Sequence, residues 1–319
     1  MLTPYTSALQ TRDDVTQKLR GFIRSITDLQ GASEGYGIIR KSPDYFTLQI
    51  LFYYEAKDYD KVVEIASQLG NALPVQLTKS VAWSHIMIGN RLWEQAKSAD
   101  ARDADRIYSE VYKSYEMATS IKPNHYEALS NWGCALADQA KNKLGNEADD
   151  LYARAKEKFK SASTLNPRKN QALNNWGCVL VSQAKTKIGK EADLLFAEAV
   201  QRFQEALVIK NKDSYALSNW GNAVLWQAQS KLTSEKMQLM KTAEEKLRMA
   251  EMISPGIGAY DLACIAAQTG DEALCKKWLE VSRKYDTLPA LRAIEEDVSF
   301  VNVRDSDWFR VLLNDLNAS

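Results

Sequence analysis

The sequence predicts an all-α fold, an α-α superhelix of antiparallel helix pairs, and three observations predict it. A fourteen-residue block recurs at one spacing: ALSNWGCALADQAK from Ala128, ALNNWGCVLVSQAK from Ala172 and ALSNWGNAVLWQAQ from Ala216, each start 44 residues after the last. The first two blocks agree at ten of fourteen positions. Within each block apolar residues return at three- and four-residue spacing, as on a helix that buries one stripe. Downstream of each block a second segment keeps the same step: Tyr115, Phe159, Phe203 and Leu247 are 44 apart, as are Ala118, Ala162, Ala206 and Ala250.

Each unit therefore reads as two helices. In the first, Leu129, Trp132, Leu136 and Ala140 form the stripe; in the second, Leu151, Ala155, Phe159 and Ala162 do. Gly145 and Gly189 are expected at helix ends, where glycine accepts a left-handed conformation. Pro123, Pro167 and Pro255 close the units, since proline cannot continue a helix interior, and Asn211 stands once in their place. Asn124 with Glu127, and Asp213, are candidate N-caps. A lone hairpin cannot bury its apolar face, but stacked copies can. Gly133, Gly177 and Gly221 lie on the first-helix stripe, where glycine costs about 1 kcal/mol against alanine. Its recurrence implies close helix–helix approach.

Carried along the chain, the pattern divides it into a helical N-terminal cap at 1–42, a short helix pair and connector at 43–79, four 44-residue units over 80–255, a shorter pair at 256–289 and a C-terminal helical cap at 290–319. The short pairs turn at Lys57-Asp58 and at Gly270-Asp271. In the C-terminal segment, Phe300, Trp308, Phe309, Leu312 and Leu313 are suited to cover the last helix pair. An exposed docking patch at Trp308-Phe309 is the alternative.

The triplets Asn131-Trp132-Gly133, Asn175-Trp176-Gly177 and Asn219-Trp220-Gly221, followed by spaced alanine, aromatic, alanine and proline, resemble the tetratricopeptide repeat (TPR) family. The usual unit of that family is about 34 residues. The longer period here implies a long-helix variant, with the extra residues between the glycine and the alanine–aromatic–alanine set. The resemblance implies a TPR-like solenoid and a protein-binding role. In several family members an asparagine at the triplet position lines the inner surface and bonds the main chain of an extended peptide.

Composition narrows the function classes. Lys+Arg and Asp+Glu balance at 41 each, so the chain has no field suited to a polyanion, and nucleic acid is disfavoured as a partner. No apolar run approaches the roughly 18 residues of a membrane span, and the N-terminal residues lack an apolar signal-peptide core. A soluble cytoplasmic protein is expected, with an organelle lumen as the alternative. Four cysteines do not suggest a disulfide scaffold. Cys134 and Cys178 lie 44 apart without a C-x-x-C pairing, and the only histidines are His85 and His125. No metal, cofactor or catalytic constellation is expected, and the chain reads as a non-enzyme.

The candidate binding residues lie on the first helices. Asn131, Asn175 and Asn219 form a series whose amides both donate and accept hydrogen bonds; bonding to neighbouring helices is the competing reading. Ser130, Asn174 and Ser218 precede them, and Asn222 takes the cysteine position of the third unit. Trp132, Trp176 and Trp220 fall on the apolar stripe and are expected to be core. Trp226 and Trp93 depart from the repeat and are candidate anchors in the groove. The clamp that some relatives use for acidic tails needs lysines or arginines on these helices. Serine and asparagine stand here instead, which disfavours Hsp70- and Hsp90-type tails. Glu147, Asp149, Glu191 and Asp193 at second-helix starts suit the helix dipole, and Lys141, Lys143, Lys185 and Lys187 read as a solvated rim.

The resulting expectation is a non-enzymatic scaffold or adaptor that holds a partner polypeptide in its concave groove. The first alternative is a structural subunit of a larger assembly using its convex face, long turns or caps; the second is an enzyme regulator.

Overall fold

The computed structural model describes residues 43–317. The expected N-terminal cap at 1–42 lies outside the described residues. The chain divides into two compact units, Met1–Ala135 and Leu136–Ser319, and among the described residues the regular elements are all helical.

The first unit holds α1 (Pro43–Glu55), α2 (Tyr59–Leu69), two 3-10 turns, α3 (Thr78–Ser98), α4 (Ala101–Ile121) and the start of α5 (Tyr126–Ala140). The chain reverses after α1 at Lys57, whose φ is 59°, and the Asp58 carboxylate caps α2 by accepting from Lys61 N. Ile50, Val62, Ile65 and Val81 close one core over α1–α3. Ile86, Val111, Tyr115 and Ala128 close another over α3–α5. A two-pronged Arg91–Asp60 ion pair at 2.7 and 2.8 Å ties α3 to α2.

The second unit continues with α6 (Gly145–Leu165), α7 (Gln171–Ala184), α8 (Gly189–Ile209), α9 (Ser214–Ala228), α10 (Thr233–Ile253), α11 (Ala259–Thr269), α12 (Glu272–Lys284), α13 (Leu291–Glu296) and α14 (Asp307–Asn317). α7 packs on α8, α9 on α10 and α11 on α12, while α6 meets α7, α8 meets α9 and α10 meets α11. The second helices of the long units, α4, α6, α8 and α10, are each 21 residues, about 32 Å at 1.5 Å per residue. The terminal pair is shorter, at 11 and 13 residues. The additional length of the repeat thus goes mainly into the second helix.

Gly177 and Gly221 behave as their recurrence predicts, and Gly89, one 44-residue step before Gly133, does the same. A Cβ on Gly177 would stand 2.5 Å from the Phe203 ring, one on Gly221 2.7 Å from Leu247, and one on Gly89 2.8 Å from Tyr115. The turn glycines differ from expectation. Gly145 and Gly189 do have positive φ, 57° and 59°, but they begin the second helix. The first helix ends earlier, at Ala140 or Ala184, in a tight turn that includes Asn142 N to Gln139 O and Lys143 N to Ala140 O. The glycine then redirects the chain into the next helix. At the C-terminal end, Phe300, Val303, Phe309 and Leu312 enter the core of α9–α12. Phe309 is fully buried and Trp308 Nε1 donates to Glu272 at 3.2 Å, so Trp308-Phe309 is a packing element and not a free patch.

Candidate interaction face on the first helices

The triplet asparagines are half-buried on the first helices of both units. In the first unit, Asn131 Nδ2 donates to Asn90 Oδ1 at 2.9 Å. The same oxygen accepts from the Tyr115 hydroxyl at 2.7 Å, whose pKa burial raises. In the second unit, Asn219 Nδ2 donates to Asn174 Oδ1 at 3.0 Å, while Asn222 Nδ2 donates to Asp261 Oδ1 at 3.1 Å. Asn175 is half-buried on α7. Asn131 and Asn219 therefore each link neighbouring first helices. Linking does not exhaust Asn131 and Asn219: an amide that donates once keeps its carbonyl oxygen and its second N–H. Ser130 and Ser218 are buried, and the Ser218 hydroxyl is spent on Ile257 O at 3.2 Å.

The tryptophans separate into two sets. Trp132, Trp176 and Trp220 pack half-buried against the cores of their units. In the second unit each carries a cation over its face, Arg202 at 4.7 Å from Trp176 and Lys246 at 4.7 Å from Trp220. The cation position is itself periodic, 44 residues apart. Trp93, in the first unit, is half-buried beneath Lys97 at 4.2 Å. Trp226, in the second, is 38% exposed and lies under Lys185 at 3.5 Å.

The acidic and basic residues of the turns do more than suit the helix dipole. Asp149 at the start of α6 accepts from Gln183 at 3.1 Å and from Lys187 at 2.7 Å, both on the following first helix and its turn. Forty-four residues on, Asp193 accepts from Gln227 at 3.0 Å and Lys231 at 2.7 Å. This repeated clip joins successive pairs. The Lys187 hydrogen bond holds the Asp149 carboxyl below the usual carboxylate range. The stability it contributes is therefore present above about pH 4 and is lost as pH falls through the depressed value. Asp149→Asn is expected to lower the thermal midpoint at pH 7 and to leave it unchanged once the carboxylates are protonated, a comparison that circular-dichroism melts can make.

Cys264 and Cys275 are buried and Cys134 and Cys178 half-buried, all as thiols. Burial pushes Cys178 up to about 11 and Cys275 up to about 12, so neither is a thiolate near neutrality. His85 is buried on α3, and burial lowers its pKa. His125, in the turn before α5, faces Glu127 at 3.2 Å.

A cavity of about 610 Å³ opens beside Trp226, walled by Asn222, Tyr260, Asp261 and Asp297. Sequence reasoning reached only Asn222 and Trp226. Tyr260 and Asp297 belong to the non-repeating end of the chain, where periodicity offers no signal.

Among the described residues no helix is long and apolar enough to cross a membrane. The model of the family "Plant specific mitochondrial import receptor subunit TOM20" matches residues 103–213, about a third of the chain. Among solved structures, the chain is similar to TTC0263, a thermophilic TPR protein of Thermus thermophilus, at 12% identity and TM-score 0.48, covering 75% of this chain and 100% of that one. It is similar to PilW, described as a widely conserved type IV pilus biogenesis factor, at 17% identity and TM-score 0.42, covering 71% and 98%. For MamA AMB-1 the values are 13%, 0.40, 66% and 90%. No match was found among curated proteins. With helix pairs in series, glycines of three first helices seated on the large apolar residue of the second and the alanines in register, the repeat resembles the tetratricopeptide repeat in a long-helix, 44-residue form.

Proposed function

We propose that the protein is a non-enzymatic scaffold that binds a partner polypeptide along the first helices, with asparagine amides contacting the partner's backbone. The observation that carries this reading is the set of half-buried triplet amides in each unit. Asn131 and Asn219 each spend one N–H on a neighbouring first helix and retain a carbonyl and a second N–H, the complement of an extended main chain. The TOM20 match over 103–213 supports a polypeptide as the partner, since that family is described as an import receptor subunit. It also makes a mitochondrial location a reading beside the cytoplasmic one, which subcellular fractionation decides. Affinity capture with the full chain is the test. Changing Asn131, Asn175 and Asn219 together to alanine is expected to weaken capture about ten-fold or more, at roughly 0.5–1.5 kcal/mol per hydrogen bond, while circular dichroism stays helical. Undiminished capture would remove the triplet-amide reading.

One observation favours a second reading, a fixed subunit of a larger assembly. Leu144, Ile188 and Leu232 occupy the same point of three successive turns and are 90%, 90% and 86% exposed. A repeated exposed aliphatic row is a surface cost that burial in an assembly would relieve. If that reading holds, serine at these three positions releases the co-purifying partner and the asparagine variant does not.

A further inference from the structure

We propose that the cavity beside Trp226 receives a basic side chain of the partner, with an arginine guanidinium set between the Trp226 face and the Asp261 and Asp297 carboxylates. The proposal deepens the scaffold reading and rests on it for the partner's polypeptide nature. The chemistry of the pocket stands on its own.

The cavity is the right size and has the right charge. At about 610 Å³ it falls within the range of side-chain and small-ligand pockets. It is formed where α9 and α11 meet α13 and the segment that follows it. Asp261 accepts one hydrogen bond, from the neutral Asn222 amide on Oδ1, and its other oxygen has no hydrogen-bond partner among the described residues. Asp297 accepts from the Tyr260 hydroxyl at 2.9 Å, the Cys264 thiol at 3.6 Å and Ser299 N at 2.8 Å, again all neutral donors. The nearby Arg304 guanidinium bonds the main-chain oxygen of Asp297, at 3.0 Å, and not its carboxylate. Glu296, at the rim, is already paired with Arg292 at 2.7 Å. Neither carboxylate thus accepts a hydrogen bond from a cation, although the Lys185 charge acts on Asp261, and a buried carboxylate gains from a bonded counter-charge.

An independent observation shows which ligand the aromatic wall accepts. The chain's own Lys185 places its ammonium 3.5 Å from the centre of the Trp226 ring; burial lowers its pKa and the Asp261 charge opposes that shift. The indole face is thus within cation–π reach of a positive charge. A guanidinium does the same job better: it is planar, stacks on indole, is less strongly hydrated and forks onto carboxylate oxygens.

The charge state of Asp261 adds a pH signature. Burial pushes its carboxyl up to about 6, and a bound guanidinium would favour the ionised form. The groups that face it are Lys185, Asn222, Tyr260, Cys264, Glu296 and Asp297, so binding is expected to strengthen as pH rises through about 6.

The test uses the full chain labelled with 5-fluorotryptophan, in which Trp226→Phe assigns the Trp226 fluorine resonance. The probe is a capped Gly-Gly-Arg-Gly-Gly amide, and the control carries citrulline, the neutral isostere, in place of arginine. The arginine peptide is expected to move the Trp226 resonance with roughly millimolar affinity and the citrulline peptide to leave it in place. Asp261→Asn should weaken binding about ten-fold, in line with loss of a charge-assisted contact. Lys185→Met should tighten it by freeing the indole face. A resonance unmoved by arginine, or moved equally by citrulline, overturns the proposal. So does undiminished affinity in both Asp261→Asn and Asp297→Asn. Loss of the arginine response beside intact asparagine-dependent capture removes this pocket alone. An arginine response beside capture indifferent to Asn131, Asn175 and Asn219 removes the triplet-amide reading and leaves the pocket.

Discussion

Truncating Phe203 to alanine is expected to lower stability by about 3–5 kcal/mol, the range for emptying a packed aromatic site. The ring is fully buried and lies against Gly177, where an added Cβ would stand 2.5 Å from it. Approached from the other side, Gly177→Ala gains up to about 1 kcal/mol of helix propensity but forces overlap with an enclosed ring, at a cost of about 1–3 kcal/mol. The net expectation is a loss. The two changes share one space, so the double variant should be less damaging than the sum of its parts. Urea denaturation followed by circular dichroism provides the cycle. A Gly177→Ala variant more stable than wild type would mean that the close approach of first and second helix is not what the repeated glycine serves.

Asp261→Asn is expected to act in the opposite direction, and only at some pH values. Burial raises the Asp261 carboxyl to about 6 from an ordinary 3.8, so between these values the folded state binds more protons than the unfolded one. Stability therefore falls as pH rises across that window and stays lower above it. The shift corresponds to at most about 3 kcal/mol. Asparagine carries no charge to desolvate, so the variant should be more stable than wild type at pH 7.5 and nearly equal to it below about pH 4. Melts across this range check the crossover. A variant less stable at every pH would show that the carboxylate's hydrogen bonding outweighs its burial. In the expected case the pocket retains a costly charge whose value lies in binding, as functional sites often do.

The fold was legible because its packing partners repeat. Gly177 and Phe203 face each other, Gly221 and Leu247 do so one period later, and the same 44-residue step written in the sequence is the step between packed pairs. The alanines at 162, 206 and 250 were readable as core for the same reason, and all three are fully buried. The clip from Asp149 to Gln183 and Lys187 was equally periodic, yet its members read as separate surface charges. Spacing alone does not reveal that a carboxylate at one helix start reaches the turn of the next pair. Nor does spacing choose the partner of an asparagine: Asn219 pairs with Asn174, whereas Asn131 pairs with Asn90. The Trp226 cavity depended on Tyr260, Asp261 and Asp297, which lie beyond the four long repeats.

The central claim is that first helices, rather than second helices, meet the partner. Site-directed photo-crosslinking tests it most directly, with p-benzoylphenylalanine placed in the full chain at Ser182 on α7, the counterpart of Trp226, or at Val208 on α8, which is 87% exposed. Crosslinks to one partner polypeptide from Ser182, lost in the Asn131, Asn175 and Asn219 alanine variant, with none from Val208, are the expected result. Crosslinks to that partner from Val208 alone would contradict it.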